Sequence, residues 1–349
     1  MPPYEIGDAD IDARIRALAE DTVAREGGNV DLVCEMIVSA LKLGRDGADR
    51  GDVKIANTSL KEMRYSFLVF DPHRTTRKVT IFGSARTPPT DPNYILASDF
   101  ARRMADDRRW AVITGAGPGI MEAGNLGAGV EHSFGVNIRL PFEAEANPYI
   151  HESRLINYKY FFTRKLMFVK ESDAFALFPG GFGTQDETFE LLTLVQTGKS
   201  DIHPIVLMEA PGSGYWDSWL SFVEGTLAEQ GMIAPEDLSL FRRTASIDEA
   251  VEEITGFYRN YHSQRFVKGM LVLRLEQEPT DEQMEELNDR FGDLVVEGRI
   301  ERVTASDEEI EDDDVPDLPR ISFHYTRRGL GRLRAMLDHL NGLVDVDTE

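Results

Sequence analysis

Three short runs place glycine where a strand could hand over to a helix: Gly83-Ser84-Ala85-Arg86, Gly115-Ala116-Gly117-Pro118-Gly119 and Pro179-Gly180-Gly181-Phe182-Gly183-Thr184. In an open α/β sheet such loops lie at the carboxyl ends of the strands, where ligands bind. Without a Cβ, main-chain N–H groups can approach a phosphate closely, and the following helix adds roughly half a positive charge at its first turn. A βα turn needs glycine for backbone reasons as well, so one such loop is ambiguous; three in series point to a phosphate cradle. The candidate phosphate- and substrate-binding residues are Gly83, Ser84, Gly115, Gly117, Gly119, Gly180, Gly181, Gly183 and Thr184, with Arg86 and Asn137 as further candidates.

Other chemistries fit less well. The middle loop follows a later strand, has the spacing GxGxG, and is followed by Asn137 and Arg139 instead of an acid, so the dinucleotide fingerprint is not met. Thr197-Gly198-Lys199-Ser200 ends like a nucleoside-triphosphatase loop, but Thr193 stands where the first glycine is required and the segment closes a helix. The seven histidines show no metal-ligand spacing and Cys34 is the lone cysteine, so neither a metal, a cofactor nor an internal disulfide is expected.

The elements that must position these loops are legible as short apolar runs at Val79–Phe82, Trp110–Ile113, Phe134–Ile138, Ala174–Phe178 and Pro204–Met208, alternating with helical patterns. Unbroken apolar runs of this length read as buried parallel strands. The expected fold class is α/β: a doubly wound Rossmann-like parallel sheet over residues 75–263, a helical N-terminal extension over 1–74, and a small α+β appendage over 264–349. In the extension, Gly27-Gly28 stops a first helix, and Ser59 and Glu62 have capping-box spacing ahead of a later one that Asp71-Pro72 ends. The appendage reads strand, helix, strand, acidic loop, strand, helix, a βαββα order with an ACT-like or ferredoxin-like flavour. Its run Glu308 to Asp314 reads as a solvated loop.

Composition bounds the function. With 349 residues, 38 basic and 61 acidic side chains and 42% apolar residues, the chain is globular and carries a formal charge of −23. Such a balance offers no excess cation to release counterions from nucleic acid, so no polymer partner is expected and any anion must be caught locally. Met1 to Asp10 has no basic or apolar leader pattern and no apolar run reaches membrane-spanning length. A cytoplasmic protein without a membrane partner is the expectation.

The most specific constellation is Pro179-Gly180-Gly181-Phe182-Gly183-Thr184-Gln185-Asp186-Glu187 with Phe161-Phe162-Thr163-Arg164-Lys165 upstream. This PGGxGTxxE pattern behind an Arg-Lys helix resembles the Lonely Guy (LOG) family, long labelled lysine decarboxylases. The resemblance spans about Lys78 to Pro211, including Gly119-Ile120-Met121 and Ser172-Asp173-Ala174-Phe175. It departs from the compact members at Phe162-Thr163, where they often carry His-Glu, and at Asp186, where they pair glutamates. Asn137-Ile138-Arg139-Leu140-Pro141-Phe142-Glu143 is similar to longer bacterial relatives.

The resemblance implies a Rossmann-like nucleotide-binding domain that hydrolyses the N-glycosidic bond of nucleoside 5′-monophosphates to free base and ribose 5-phosphate. It also implies a homodimer or higher homo-oligomer. The family's motif residues fall on Arg164 and Glu187 as catalytic candidates. Glu187 would stabilise positive charge on the ribose and orient water, or simply complement the helix dipole. Arg164 would serve ribose oxygens, the phosphate or Glu187 itself. Lys165 is a further candidate that could equally face solvent, as could Asp186 and Glu190, while Met121, Met167 and Phe168 read as core. A nucleotide sensor or carrier that keeps the cradle without turnover is the competing reading. Base preference, and whether cytokinin production or nucleotide salvage is served, lie beyond the motifs.

Overall fold

A computed structural model describes residues 4–23, 28–139 and 146–344. Gly27 of the expected helix stop and Leu140 to Glu143 of the longer-relative motif lie outside the described residues. The chain divides into two compact units, 1–65 and 66–349.

In the first unit, α1 (Ala9–Thr22) starts where Asp8 accepts hydrogen bonds from the N–H groups of Asp10 and Ile11, satisfying two of its orphan donors. It packs on α2 (Val30–Arg45). The next helix, α3 (Arg50–Phe70), begins well before the expected capping box. Asp49 takes that role by accepting from Asp52 N–H at 2.9 Å, whereas Ser59 lies inside the helix and donates back to the carbonyl of Ile55 at 2.8 Å. Asp71-Pro72 ends α3 as expected.

The second unit is built on β1 (Lys78–Phe82), α4 (Pro92–Asp106), β2 (Ala111–Thr114), α5 (Ile120–Ala128), β3 (Ser133–Ile138), β4 (Leu155–Tyr158), α6 (Phe161–Lys170), β5 (Ala174–Leu177), α7 (Phe182–Gln196), β6 (Ile205–Met208), α8 (Tyr215–Phe222), β7 (Arg242–Thr244) and α9 (Ile247–Gly256). The seven strands are parallel in the order β4-β3-β2-β1-β5-β6-β7. This is the expected doubly wound α/β fold, with two edge strands, β4 and β7, that short and mixed sequences had concealed. On one face Phe100 and Met104 of α4, Ile120 and Ala123 of α5 and Ile254 of α9 close over Val79, Ile81 and Val112. On the other, the Phe82 ring meets Phe168 edge-on at 4.8 Å. Because the chain winds outward from β1 to β4 and then returns to lay β5 on the other side of β1, the topological switch point lies between β1 and β5.

The appendage comprises β8 (Tyr261–Val267), β9 (Met270–Leu275), α10 (Asp281–Phe291), β10 (Glu301–Val303), α11 (Asp307–Glu311), β11 (Arg320–Phe323) and α12 (Leu330–Gly342). Its antiparallel sheet runs β10-β11-β9-β8. The expected βαββα order is present, with β8 added as an outer strand; the fourth strand of a ferredoxin-like sheet would occupy that place. The acidic run is not a solvated loop. Its first part forms α11, which Ser306 caps. Glu309 is buried between Arg274 at 2.9 Å and Arg320 at 3.2 Å, while Asp314 and Asp312 pair with Arg274 and Arg265. Charge density alone could not reveal those arginines, which arrive from distant strands.

Candidate active site

The three glycine loops leave the carboxyl ends of β1, β2 and β5 and are tied together by main-chain bonds. The N–H of Ser84 donates to the carbonyl of Pro179 at 3.0 Å, and the N–H of Ile120 donates to the carbonyl of Ser84 at 3.0 Å. Gly119 makes this contact possible: its φ is +71°, and a Cβ would lie 2.2 Å from the Ser84 oxygen. Its part is therefore to bring the loops together, not to line the site.

Over these loops opens a cleft of about 800 Å³. It gathers Gly83, Ser84, Arg86, Gly115, Gly117, Gly180, Gly181, Gly183, Thr184, Arg164 and Glu187 from the sequence candidates. Its apolar wall includes Phe82, Ile138, Phe161 and Phe182, the last 97% exposed at the first residue of α7. Met121 also lines the cleft, half-buried against Gly115 and Gly117, so it is not the core residue that its helical spacing suggests; Met167 and Phe168 are. Asn137 does not line it. Its amide donates to Asn157 on β4 at 2.9 Å, toward the sheet edge.

Two helices deliver the charged groups. Helix α6 carries Arg164, whose Nε donates to the carbonyl of Val136 at 3.0 Å and whose guanidinium passes so close to Gly115 that a Cβ there would sit 2.6 Å from Nη2. The anchor aims the cation at the middle loop. Gly181 caps helix α7, whose first-turn residues line the cleft with their unpaired N–H groups, and the helix carries Thr184 and Glu187 three residues apart on one face.

Lys165, adjacent to Arg164, turns to α7 instead of the cleft. Its ammonium lies 3.1 Å from Glu187, 3.0 Å from Asp186 and 2.5 Å from Glu190. Burial works against that ammonium, but the hydrogen bonds to Glu190 and Asp186 and the bond and charge of Glu187 raise it to about 12. Burial pushes the Glu187 carboxyl above the usual glutamate value, outweighing the pull of Lys165 and then of Arg164, while Glu190 adds to the rise. The carboxylate's direct partner is thus Lys165. Asp186 and Glu190, open to either reading in the sequence, belong to this cluster.

Several supporting residues escaped sequence reasoning. The Tyr215 hydroxyl donates to the carbonyl of Gly180 and accepts from Gln185, each at 2.6 Å, fixing the PGG loop. Buried Glu209 holds the start of α8 through the N–H groups of Tyr215 and Trp216. In the middle loop Ala116 adopts φ +62°, held by its N–H to Thr114 Oγ1 and its carbonyl to Asn147 N–H. No spacing signal connects these partners, which lie up to tens of residues apart. Among the described residues no His, Cys, Asp or Glu group is arranged to hold a metal ion, and no helix is long and apolar enough to cross a membrane.

Residues 117–254 match the family model described as "Possible lysine decarboxylase". The chain is 31% identical over 119 residues to the cytokinin riboside 5′-monophosphate phosphoribohydrolase LOG1 of Arabidopsis thaliana, covering 34% of this chain and 54% of that one. It is 35% identical over 91 residues to LOG3 of the same plant, covering 26% and 40%. The chain therefore spans about half the length, or less, of these curated relatives. Among solved structures, the X-ray structure of TM1055 is similar at 20% identity and a TM-score of 0.36, over 51% of this chain and 97% of that one. The matched region holds the PGGxGTxxE loop, Arg164 and Glu187 at the switch point, so the part of the chain that builds much of the cleft is the part similar to the LOG relatives.

Proposed function

We propose that this protein is a nucleoside 5′-monophosphate phosphoribohydrolase, releasing free base and ribose 5-phosphate. One observation carries the reading: the first-turn amides of α7, Thr184 and Glu187 line one cleft with Arg164 across from them. The amides and Thr184 would take the 5′-phosphate, and Glu187 would lie at the ribose. When the C1′–N bond breaks, its electron pair leaves with the base and positive charge builds at C1′ and the ring oxygen. A carboxylate beside that atom stabilises the charge and accepts a hydrogen bond from the water that adds there; the water's proton ends on the departing nitrogen. The names of the LOG relatives, cytokinin riboside 5′-monophosphate phosphoribohydrolases, support this reaction class.

Base and substrate identity are decided by a panel. Purified protein is incubated with purine, pyrimidine and isopentenyl-adenosine monophosphates, with free base and ribose 5-phosphate followed by chromatography and Glu187→Gln as control. Release that the variant abolishes is the expected result. Tight binding without release, by calorimetry, would replace the hydrolase with a nucleotide carrier or sensor. We also propose a homodimeric core, supported by the exposure of Phe161 and Phe182 at the cleft and of Phe162 and Leu166 on α6. Light scattering at micromolar concentration tests it, a monomer mass being the contrary result.

A further inference from the structure

Glu187 reaches the cleft from within a cluster of four charged side chains. Asp186, Glu187 and Glu190 all project from the first turns of α7 onto a single ammonium, Lys165 of α6, and Lys165 and Glu187 are each only 13% exposed. We propose that Lys165 is a positioning residue: shared among three carboxylates, it fixes the direction of Glu187 and keeps it ionised while leaving the cluster net negative beside the ribose. This rests on the hydrolase reading and adds to it the group that sets the charge state of its carboxylate.

The stoichiometry matters. A one-to-one ion pair would hold Glu187 in place but cancel the charge that the developing sugar cation needs. Three carboxylates on one ammonium leave a formal charge of −2 after pairing, so direction and field are both supplied. The charged groups around Glu187 are Lys165 and Arg164 from α6 and Asp186 and Glu190 from α7, while Arg86, from the loop after β1, lines the same cleft. Of the cations, Lys165 opposes the burial of Glu187 most strongly, and Arg164 comes next. The adjacent pair thus divides its work: Arg164 is anchored on the Val136 carbonyl of β3, beside Gly115 of the middle loop, and Lys165 on α7.

The test uses Lys165→Met, Lys165→Arg and Glu190→Gln in the full chain, with two readouts. One is the pH dependence of kcat and KM on a monophosphate hydrolysed by the parent. The other, independent of turnover, is the carboxyl ¹³C titration of Glu187, assigned by its loss in Glu187→Gln. Lys165→Met should move the Glu187 midpoint and the acid limb of kcat up by about one pH unit or more, so that on the acid side of both midpoints kcat falls about tenfold with KM little changed. Lys165→Arg should restore most of the loss. Glu190→Gln removes a like charge and a competitor for the ammonium, so it should move the midpoint down. Opposite signs in these variants are the expected signature. A midpoint unmoved in both, or moved the same way in both, overturns the proposal, as does a kcat profile unchanged in Lys165→Met. Should Lys165→Met fail to fold, the downward shift in Glu190→Gln and the recovery in Lys165→Arg decide it. Oppositely signed midpoints in a parent that hydrolyses no monophosphate would sink the hydrolase reading while the Lys165–Glu187 linkage stood.

Discussion

Two clusters of charge in this molecule are built from the same residue types to different ends. In the appendage, Arg265, Arg274 and Arg320 meet Glu309, Asp312 and Asp314, three cations to three carboxylates, with Arg274, Arg320 and Glu309 almost wholly buried. At the cleft, one lysine serves three carboxylates at the edge of solvent. The titration of the central carboxyl reports the difference. Burial pushes Glu309 up, but hydrogen bonds from the Ser306 backbone and Arg274, with the charges of Arg320 and Arg274, outweigh it and hold the group below the usual value. Burial of Glu187 is not offset, and its carboxyl stays above that value. A balanced cluster holds structure; an unbalanced one keeps a charge available, at some cost in stability.

Breaking each cluster at its central carboxylate gives the largest contrast. Under the proposed reaction Glu187→Gln removes the charge that would act on the transition state and should lower turnover by about 10³-fold or more, while the urea midpoint holds or rises. Glu309→Ala strands two buried guanidinium groups and should cost about 3–5 kcal/mol by urea unfolding, with turnover near the parent's at low denaturant. Equal losses of stability in the two variants would erase the distinction.

The pH dependence sharpens it further. Glu309, depressed in the folded state, contributes stability that is complete above the ordinary value near 4.5 and is lost as pH falls through its folded value. Glu187, raised, favours the folded state at acid pH, and that contribution is lost as pH rises through its folded value. Urea midpoints of the parent minus those of Glu309→Gln should therefore shrink on acidification, and those of Glu187→Gln minus the parent should grow on going to neutral pH. Smaller again, Gly119→Ala should cost about 2 kcal/mol by forcing a Cβ onto the Ser84 carbonyl and separating two loops. Least of all, Glu285→Gln breaks an exposed pair with Arg299 and should change stability by under about 0.5 kcal/mol in the same assay.

The parts of the site legible in sequence are those encoded locally. Glycine after a strand marks a loop at the sheet edge, and Thr184 with Glu187 marks one helix face, so Gly180 to Glu187 could be read within ten residues and found in the cleft. Arg164 was legible through the family motif, but its anchor on Val136 was not. Lys165 illustrates the limit: its neighbours along the chain suggest solvent, and only the packing of α6 on α7 reveals three carboxylates. Tyr215 and Asn147 were hidden for the same reason, each acting on a loop about 30 residues distant. Strands β4 and β7 lie at the sheet edges, where half-exposed side chains dilute the apolar run that betrayed the central five.

The ties through Ser84 use its own N–H and carbonyl, which every substitution except proline retains. The frame of the cleft is therefore insulated from changes in the side chains that furnish it. Arg86, Phe161, Met121 and Phe182 line the cleft and take no part in those ties, so selectivity and scaffold become separately heritable, and a library confined to those four positions should alter what enters the cleft without redrawing its floor.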